Sequence, residues 1–480
     1  MTEGGCMDNS CLIRLIVVLC STYDKAWCEL FRVDRRQVIN RPEQREIPGQ
    51  EKRGETMPGK DIHWYKLDNA AKIIPSTAVG SDTRVFRLCC ELKEEVDGGV
   101  LQAALDDAVR EYPHFQCYLK KGLFWYYMEQ SPEKAEVTEE KLPALSALYY
   151  PGRKTLLFRV NYYRRRINLE VYHVVSDGAG AFQFFRQIIC NYLVQKHALL
   201  IGSDLENKGS FEEKADDAFR YYYTRKNKSR ALKQIFGGKK PACQLRGTRD
   251  ENLNIHLLEG VVSVRAFLDL CHAHHTTLAL MTTAIMIEAV IREMRISERN
   301  RPVVVTVPVN LRNYFPTETT RNFYGVITIS YHASAYDGTI DSILKVIQQS
   351  YEDQLKEDQI EKTMNTYSAL ERNWALKMVP LQLKDLGIQG FNYLRLREVT
   401  TSVSNVGRLT MPEQTVPYID RFSAFMATQK GQMVVVSFED KLAFGITSAF
   451  KRHDVMRNFF RSLVRLGLEV ELATNDYDLI

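Results

Sequence analysis

The sequence predicts an α/β protein built from two lobes of similar size. Strand patterns alternate with helix patterns from residue 85 onward, and strands outnumber simple strand–helix–strand crossover units. The regularity is lost over residues 202–248, whose charged segments marked by Gly and Pro are typical of a connection between domains. We therefore expect an N-terminal lobe over 57–201, a linker over 202–248 and a C-terminal lobe over 249–480.

Residues 1–56 differ from the rest of the chain and predict a poorly ordered extension. The segment CLIRLIVVLC is apolar, but Arg14 interrupts it, and acidic residues precede it where a secretory leader is basic. A polar run with Pro and Gly follows over 41–61 and cannot bury enough apolar surface to fold by itself. Whether residues 1–56 belong to the mature protein stays open, with Met57 as the alternative start.

The composition predicts a globular protein, since 45% of the 480 residues are hydrophobic and 26% are charged. The net charge of +5 comes from 64 basic and 59 acidic side chains, too even a balance to indicate nucleic-acid binding. Ten cysteines without a regular framework indicate reduced thiols, and no stretch approaches the roughly 18 apolar residues of a spanning helix. We expect a cytoplasmic monomer without a transmembrane segment.

The elements of the N-terminal lobe follow from apolar periodicity. VFRLCCEL alternates as a half-buried strand does, and VLQAALDDAVREYP then repeats apolar residues at helical spacing. The aromatic-rich segments GLFWYYME and KTLLFRVNYY predict strands, and the basic tip Arg164–Arg166 joins the second of these to INLEVYH in a hairpin. AFQFFRQIICNYLVQ predicts the helix that follows.

The C-terminal lobe repeats this alternation. SVRAFLDLCHAHH and LALMTTAIMIEAVIREM predict two helices, PVVVTVPV predicts a strand, and QMVVVSFEDKLAFGIT predicts a final hairpin. His272, His274 and His275 straddle a helix end with no neighbouring carboxylate in the sequence, so we expect an exposed turn rather than a metal site.

His173 stands where the strand INLEVYH stops and the next helix has not begun. Ile167, Leu169, Val171 and His173 share one face of that strand, so the histidine continues the buried side. A neutral imidazole in that position can act as a general base, and a hydrogen-bonded core histidine is the alternative. Asp177 has an alternative as a helix N-cap, and Gly178 as part of a tight turn.

Taken together, these residues resemble a known family. HVVSDG, residues 173–178, is similar to the His-x-x-x-Asp-Gly motif of the chloramphenicol-acetyltransferase-like superfamily, which includes condensation domains. The resemblance continues in order through EYPHF, LKKGLFWYYME, VPVNLRNYF, TTRNFYG and SNVG, from about residue 60 to the C-terminus. The chain resembles bacterial alcohol acetyltransferases most, and Tyr172 stands where many condensation domains carry a second histidine.

The resemblance implies a fold and a set of roles. It implies two lobes, each a mixed sheet flanked by helices, that meet in a V around a central tunnel. His173 would be the catalytic base, Asp177 would pair with Arg312, and Gly178 would keep the motif loop compact. The resemblance also implies tunnel-lining or oxyanion-stabilising roles, with turn chemistry as the alternative, for Asn322, Gly325, Ser404 and Asn405.

The activity implied is transfer of an acyl group from acetyl-CoA or another acyl-CoA to a small-molecule alcohol or amine, without a metal. One alternative is a freestanding condensation enzyme that takes its thioester from a carrier protein. An alternative of another class is a superfamily member that binds a ligand or partner without turnover.

Overall fold

The computed structural model describes residues 63–200, 210–222, 240–371 and 377–475. The predicted extension over 1–56 and the linker segments 202–209 and 223–239 lie outside the described residues. Residues His63–Ile480 form one compact unit. The division of this unit into two lobes around a linker stays a prediction.

A small antiparallel sheet and a five-stranded sheet come mainly from the first half of the chain. The small sheet has the strand order β1-β4-β3 and comprises β1 (Trp64–Lys66), β3 (Cys117–Lys121) and β4 (Tyr126–Gln130). The five-stranded sheet has the order β12-β2-β7-β6-β5 and comprises β2 (Val85–Leu92), β5 (Val137–Glu139), β6 (Phe158–Tyr163), β7 (Arg166–Tyr172) and β12 (Ile419–Met426). The hairpin predicted around Arg164–Arg166 is confirmed, because β6 and β7 pair antiparallel on either side of it.

Strand β12 crosses from the second half of the chain into the sheet of the first half. It pairs antiparallel with β2, with Phe422 opposite Cys90 and Met426 opposite Phe86. This exchange is not predicted from the sequence, because an apolar strand pattern does not reveal which partner strand it will join.

A seven-stranded sheet forms the other large sheet. Its order is β10-β9-β11-β13-β14-β8-β15, with β11 parallel to both of its neighbours, and it comprises β8 (His256–Ser263), β9 (Pro302–Asn310), β10 (Tyr324–His332), β11 (Thr401–Arg408), β13 (Gly431–Phe438), β14 (Lys441–Ser448) and β15 (Glu471–Thr474). The predicted final hairpin is confirmed as β13 and β14. The predicted fold class, mixed sheets with flanking helices, is confirmed.

The helices lie between and against these sheets. In chain order they are α1 (Ile74–Thr77), α2 (Gly98–Glu111), α3 (Gly178–His197), α4 (Phe211–Ala215), α5 (Phe219–Tyr222), α6 (Val264–Ala273), α7 (Leu278–Glu293), α8 (Ile340–Leu355), α9 (Glu357–Glu371), α10 (Leu381–Leu396) and α11 (Asp454–Arg465). Among the described residues no single helix is long and apolar enough to cross a membrane, and the pair α6 and α7, which would suffice together, is bent by 82°.

Strand β2 differs from its predicted half-buried pattern, because nearly all of it is buried on both faces. Its second face carries Arg87, whose Nη1 lies 3.2 Å from Oε1 of the buried Glu170 and also binds Glu140. The polar residues that suggested an exposed face are therefore satisfied inside the protein by ion pairs.

Candidate functional site

His173 follows directly after β7 and lies between residues of the two large sheets. Its backbone N–H donates to the carbonyl of Arg84 at 2.9 Å. The ring meets Phe86 of β2 edge-on, with centroids 5.3 Å apart, and lies 5.5 Å from the ring of Tyr324 on β10. The residue is half-buried, so part of it remains accessible.

One ring nitrogen of His173 is bound to Asn322. Nδ1 of His173 lies 2.9 Å from Oδ1 of Asn322, and an amide oxygen can only accept a hydrogen bond. The Asn322 amide nitrogen donates to the carbonyl of His173 and to Oδ2 of Asp68, both at 3.0 Å. Nδ1 of the neutral imidazole therefore carries the proton, and Nε2 presents a lone pair.

The surroundings keep this imidazole neutral near pH 7. Burial lowers the pKa of His173, and it outweighs the nearby carboxylate of Asp177 and the hydrogen bond with Asn322, which act in the opposite direction. The guanidinium of Arg84 lowers the pKa further. Asp82 also lies close, and burial raises the pKa of its carboxyl. An unprotonated ring with one free lone pair has the state that a general base requires.

Asp177 caps the helix after the motif and also pairs with Arg312. Its Oδ1 accepts from the N–H of Gly180 at 2.8 Å, which makes it the N-cap of α3. Its Oδ2 accepts from Nη1 of Arg312 at 2.9 Å and from the N–H of Phe323 at 2.8 Å. The helix-capping role and the ion pair therefore coexist in one carboxylate.

Arg312 ties the segment before β10 to the motif. Its Nε donates to the carbonyl of Thr319 at 3.0 Å, and its Nη2 donates to the carbonyl of Arg321 at 2.6 Å. One guanidinium thus holds Asp177 and the backbone beside Asn322 in the same place.

Gly178 and Gly180 differ in how closely neighbouring atoms approach them, and the role of Gly178 in keeping the loop compact stays a prediction. A Cβ on Gly178 would have its nearest neighbour at 3.8 Å, in the side chain of Val406. A Cβ on Gly180 would lie 2.1 Å from the carbonyl oxygen of Thr320 and 2.6 Å from Oγ of Ser176. Gly180 is therefore the glycine that allows the 319–323 segment to pack on the start of α3.

Two further side chains that the sequence analysis did not single out hold this segment. Ser176 Oγ donates to the carbonyl of Thr320 at 2.5 Å, and Nε2 of the fully buried His114 lies 2.7 Å from Oγ1 of Thr320. His114 belongs to the EYPHF segment that carried part of the resemblance. Asp68 had no sequence signal, because no periodic pattern or motif marks it.

The remaining candidate residues are spread over three places. Gly325 lies on β10 beside Leu311 and lines a small cavity of about 20 Å³. Ser404 lies on β11 opposite Val434 of β13. Asn405 is exposed, accepts from the N–H of Gly407 at 2.9 Å, and lines a cavity of about 530 Å³. Of the four, Asn322 is the residue that contacts His173.

Strand β11 contributes residues to the larger cavity and one side chain near Gly178. Asn405 and Gly407 line it, and the side chain of Val406 between them is the one 3.8 Å from the Cβ position of Gly178. Arg265 at the start of α6 and Arg408 at the end of β11 also line this cavity. The residues that line this cavity thus include two arginines and two acidic residues, Glu439 and Asp440.

His272 lies in the last turn of α6, and His274 and His275 follow the helix. His272 and His275 are exposed, and Nδ1 of His274 lies 2.6 Å from Oδ1 of Asp341. The sequence analysis missed this partner, because it comes from the start of α8, 67 residues away. Within the described ranges no group of three or more His, Cys, Asp or Glu side chains could hold a metal ion.

Comparisons with known proteins identify the fold. No family model matches the chain, and no curated protein matches it. Among solved structures, the trichothecene 15-O-acetyltransferase TRI3 from Fusarium sporotrichioides has a TM-score of 0.55 at 11% identity, over 84% of this chain and 95% of that one. TRI101 from F. sporotrichioides, complexed with coenzyme A and T-2, has a TM-score of 0.54 at 10% identity, over 85% and 99%. The first condensation domain of the calcium-dependent antibiotic synthetase has a TM-score of 0.53 at 12% identity, over 84% and 96%.

This chain has the chloramphenicol-acetyltransferase-like fold. The fold that the resemblance implies is thereby confirmed over more than four-fifths of the chain. A particular likeness to bacterial alcohol acetyltransferases stays a prediction.

Proposed function

We propose that the protein is an acyl-CoA-dependent O-acyltransferase in which His173 is the general base. The observation that carries the proposal is the neutral imidazole whose Nδ1–H is bound by Asn322, which leaves Nε2 as a proton acceptor. The fold supports it, since similar structures include an O-acetyltransferase and an enzyme complexed with coenzyme A.

The proposed reaction needs one base and no covalent acyl-enzyme. Nε2 of His173 takes the proton of the acceptor hydroxyl as the hydroxyl oxygen attacks the thioester carbonyl. When the tetrahedral intermediate collapses, the carbon–sulfur bond breaks and the departing thiolate receives the proton from the imidazolium. The products are an ester and free thiol, and the imidazole returns to its neutral state.

The donor is proposed to reach the motif from the cavity of about 530 Å³ lined by Asn405, Arg265 and Arg408. Two guanidinium groups suit the phosphates of coenzyme A, since arginine binds phosphate through paired hydrogen bonds. Asp440 also lines the cavity, but its carboxylate already accepts from the N–H of Arg265 at 3.0 Å and from Oγ of Ser263 at 2.9 Å.

A second candidate keeps the chemistry and changes the donor. The similarity to a condensation domain supports a carrier-protein thioester as donor, with an amine or alcohol as acceptor. Tyr172 in place of a second histidine is the feature that favours the acyl-CoA enzyme. A binding protein without turnover is disfavoured because Asp177 and Arg312 hold the loop of His173 with every polar atom of the Asp177 carboxylate bonded.

The test is an acceptor screen. Purified protein is incubated with acetyl-CoA and a panel of short, branched and cyclic alcohols and amines, and free thiol is followed with a thiol reagent. We expect thiol release that depends on an alcohol and disappears in His173→Ala. Release without an acceptor would indicate hydrolysis, and acceptor-dependent release only from an acylated carrier protein would favour the condensation enzyme.

A further inference from the structure

Asp68 is a buried carboxylate that reaches the histidine through one intermediate side chain. It has no exposed surface and lies between β1 and the short 3₁₀ helix Ala71–Ile73. Its Oδ1 accepts from the N–H of Ala71 at 2.8 Å. Its Oδ2 accepts from the Asn322 amide nitrogen at 3.0 Å, and Asn322 in turn meets Nδ1 of His173 at 2.9 Å.

The carboxylate fixes which way the Asn322 amide faces. Two groups that only accept hydrogen bonds, Oδ2 of Asp68 and the carbonyl of His173, face the same end of that amide. The opposite orientation would set an amide oxygen against both of them, which is repulsive, and would remove the donor to the carbonyl of His173. The NH₂ end therefore faces Asp68, and the oxygen end must face His173.

The orientation of the amide then selects the protonation state of the ring. An amide oxygen beside Nδ1 favours the tautomer with a proton on Nδ1, whereas an amide NH₂ there would favour the tautomer with a proton on Nε2. Only the first leaves Nε2 able to take a proton. Arg321, itself buried, balances the carboxylate from 3.5 Å and donates to the carbonyl of Lys66 at 3.1 Å, so Asp68 is held in place.

We propose that Asp68 is a positioning residue that, through Asn322, holds His173 in the tautomer with a proton on Nδ1. Its consequence for catalysis rests on the function proposed above, but the tautomer itself does not. A measurement of the His173 tautomer can therefore show this proposal to be wrong independently of the proposed function.

The direct test is nuclear magnetic resonance of the full chain with ¹⁵N-labelled histidine. Two-bond ¹H–¹⁵N correlation spectra distinguish the two tautomers, and the His173 signals are those lost in His173→Gln. We expect the Nδ1–H form in the wild type at neutral pH. In Asp68→Ala we expect a mixture of tautomers or the Nε2–H form. A wild type in the Nε2–H form would overturn the proposal whether or not the variant folds.

The kinetic test compares Asp68→Ala with Asp97→Ala, which removes the N-cap of α2 far from the imidazole. We expect kcat of Asp68→Ala to fall by a factor between about 10 and about 10⁴. The upper value is the cost of a wrong histidine tautomer in a serine protease triad. KM for the acyl donor should be nearly unchanged. Asp97→Ala should keep the kcat and tautomer of the wild type. A folded Asp68→Ala that keeps the wild-type tautomer would refute the proposal whatever its kcat, and a changed tautomer with wild-type kcat would instead contradict the function proposed above.

Discussion

His173 and Asn322 are 149 residues apart in sequence and meet through a hydrogen bond of 2.9 Å. One follows β7 of the five-stranded sheet, and the other precedes β10 of the seven-stranded sheet. The imidazole of His173 is thus oriented by a residue from the other half of the chain. Any change that shifts the 319–323 segment should reach the imidazole through this bond.

Removal of the imidazole should strongly lower turnover without unfolding the protein. In His173→Ala we expect kcat to fall by about 10²–10⁴, the usual contribution of a general base, because no second base replaces Nε2. The melting temperature should change little, since the residue is half-buried and its ring meets only part of the core. His332→Ala, at an exposed histidine that ends β10, is the matched control. Normal turnover in His173→Ala would exclude the proposed mechanism.

Loss of charge at Asp177 should damage folding as well as rate. Asp177→Asn replaces a carboxylate that binds Arg312 and two backbone N–H groups, and removing one charge of a buried ion pair costs up to about 3–5 kcal/mol. We expect a lower free energy of unfolding together with a lower kcat. Arg312→Lys should resemble it, because lysine cannot reach Asp177, Thr319 and Arg321 at once. If Asp177→Asn melted like the wild type but lost activity, the structural role would be wrong.

Gly178 and Gly180 should respond differently to substitution by alanine. Gly180→Ala forces a Cβ to 2.1 Å from the carbonyl oxygen of Thr320, so the segment that carries Asn322 must move. We expect a loss of roughly 1–3 kcal/mol in the free energy of unfolding and a lower kcat. Gly178→Ala meets its nearest atom at 3.8 Å and should be nearly neutral in stability. Urea unfolding of both variants checks this, and equal destabilisation would contradict the packing described.

The guanidinium groups of the larger cavity should govern donor affinity. In Arg265→Ala/Arg408→Ala we expect KM for acetyl-CoA to rise roughly tenfold with kcat nearly unchanged, because each exposed charge contributes up to about 1 kcal/mol. The matched substrate is the acetyl thioester of N-acetylcysteamine, which has no phosphate, and its KM should not change. An equal rise in KM for both thioesters would mean that Arg265 and Arg408 do not bind the phosphates of coenzyme A.

The sequence predicted those features that depend on local periodicity or on the motif. Apolar repeats of two or about four residues can be read along the chain. They predict the strand before His173, the helix capped by Asp177 and the final hairpin. The pairing of Asp177 with Arg312 came from the family resemblance rather than from the spacing of these residues.

The features that were missed all join distant parts of the chain. Asp68 lies 254 residues from Asn322, and neither residue carries a local signal for the other. Strand β12 looks like any apolar strand, yet it completes the sheet of the other half. Arg87 is charged and therefore predicted to be exposed, but ion pairs with Glu140 and Glu170 allow its burial. Such contacts depend on tertiary placement, which alternation patterns do not encode.

Acid should destabilise the protein through His114, the buried histidine that anchors Thr320. Burial lowers the pKa of His114 to about 3, whereas the unfolded chain has the usual value of about 6.5. Below pH 6.5 the unfolded state therefore binds a proton that the folded state does not bind. The free energy of unfolding decreases as pH falls from about 6.5 toward 3. Between pH 7.5 and pH 5 this one histidine should lower the free energy of unfolding by about 2 kcal/mol.

His114→Gln isolates the effect, because glutamine cannot titrate in this range. We expect the variant to be less stable than the wild type at pH 7.5, since the bond to Thr320 is altered, but to lose about 2 kcal/mol less on acidification to pH 5. Urea unfolding at both pH values measures the difference. His332→Gln, at an exposed site, should follow the wild type. If the free energy of unfolding fell equally in the wild type and in His114→Gln, the buried imidazole would not be the acid-sensitive group. Acid would then not act through the loop that positions Asn322.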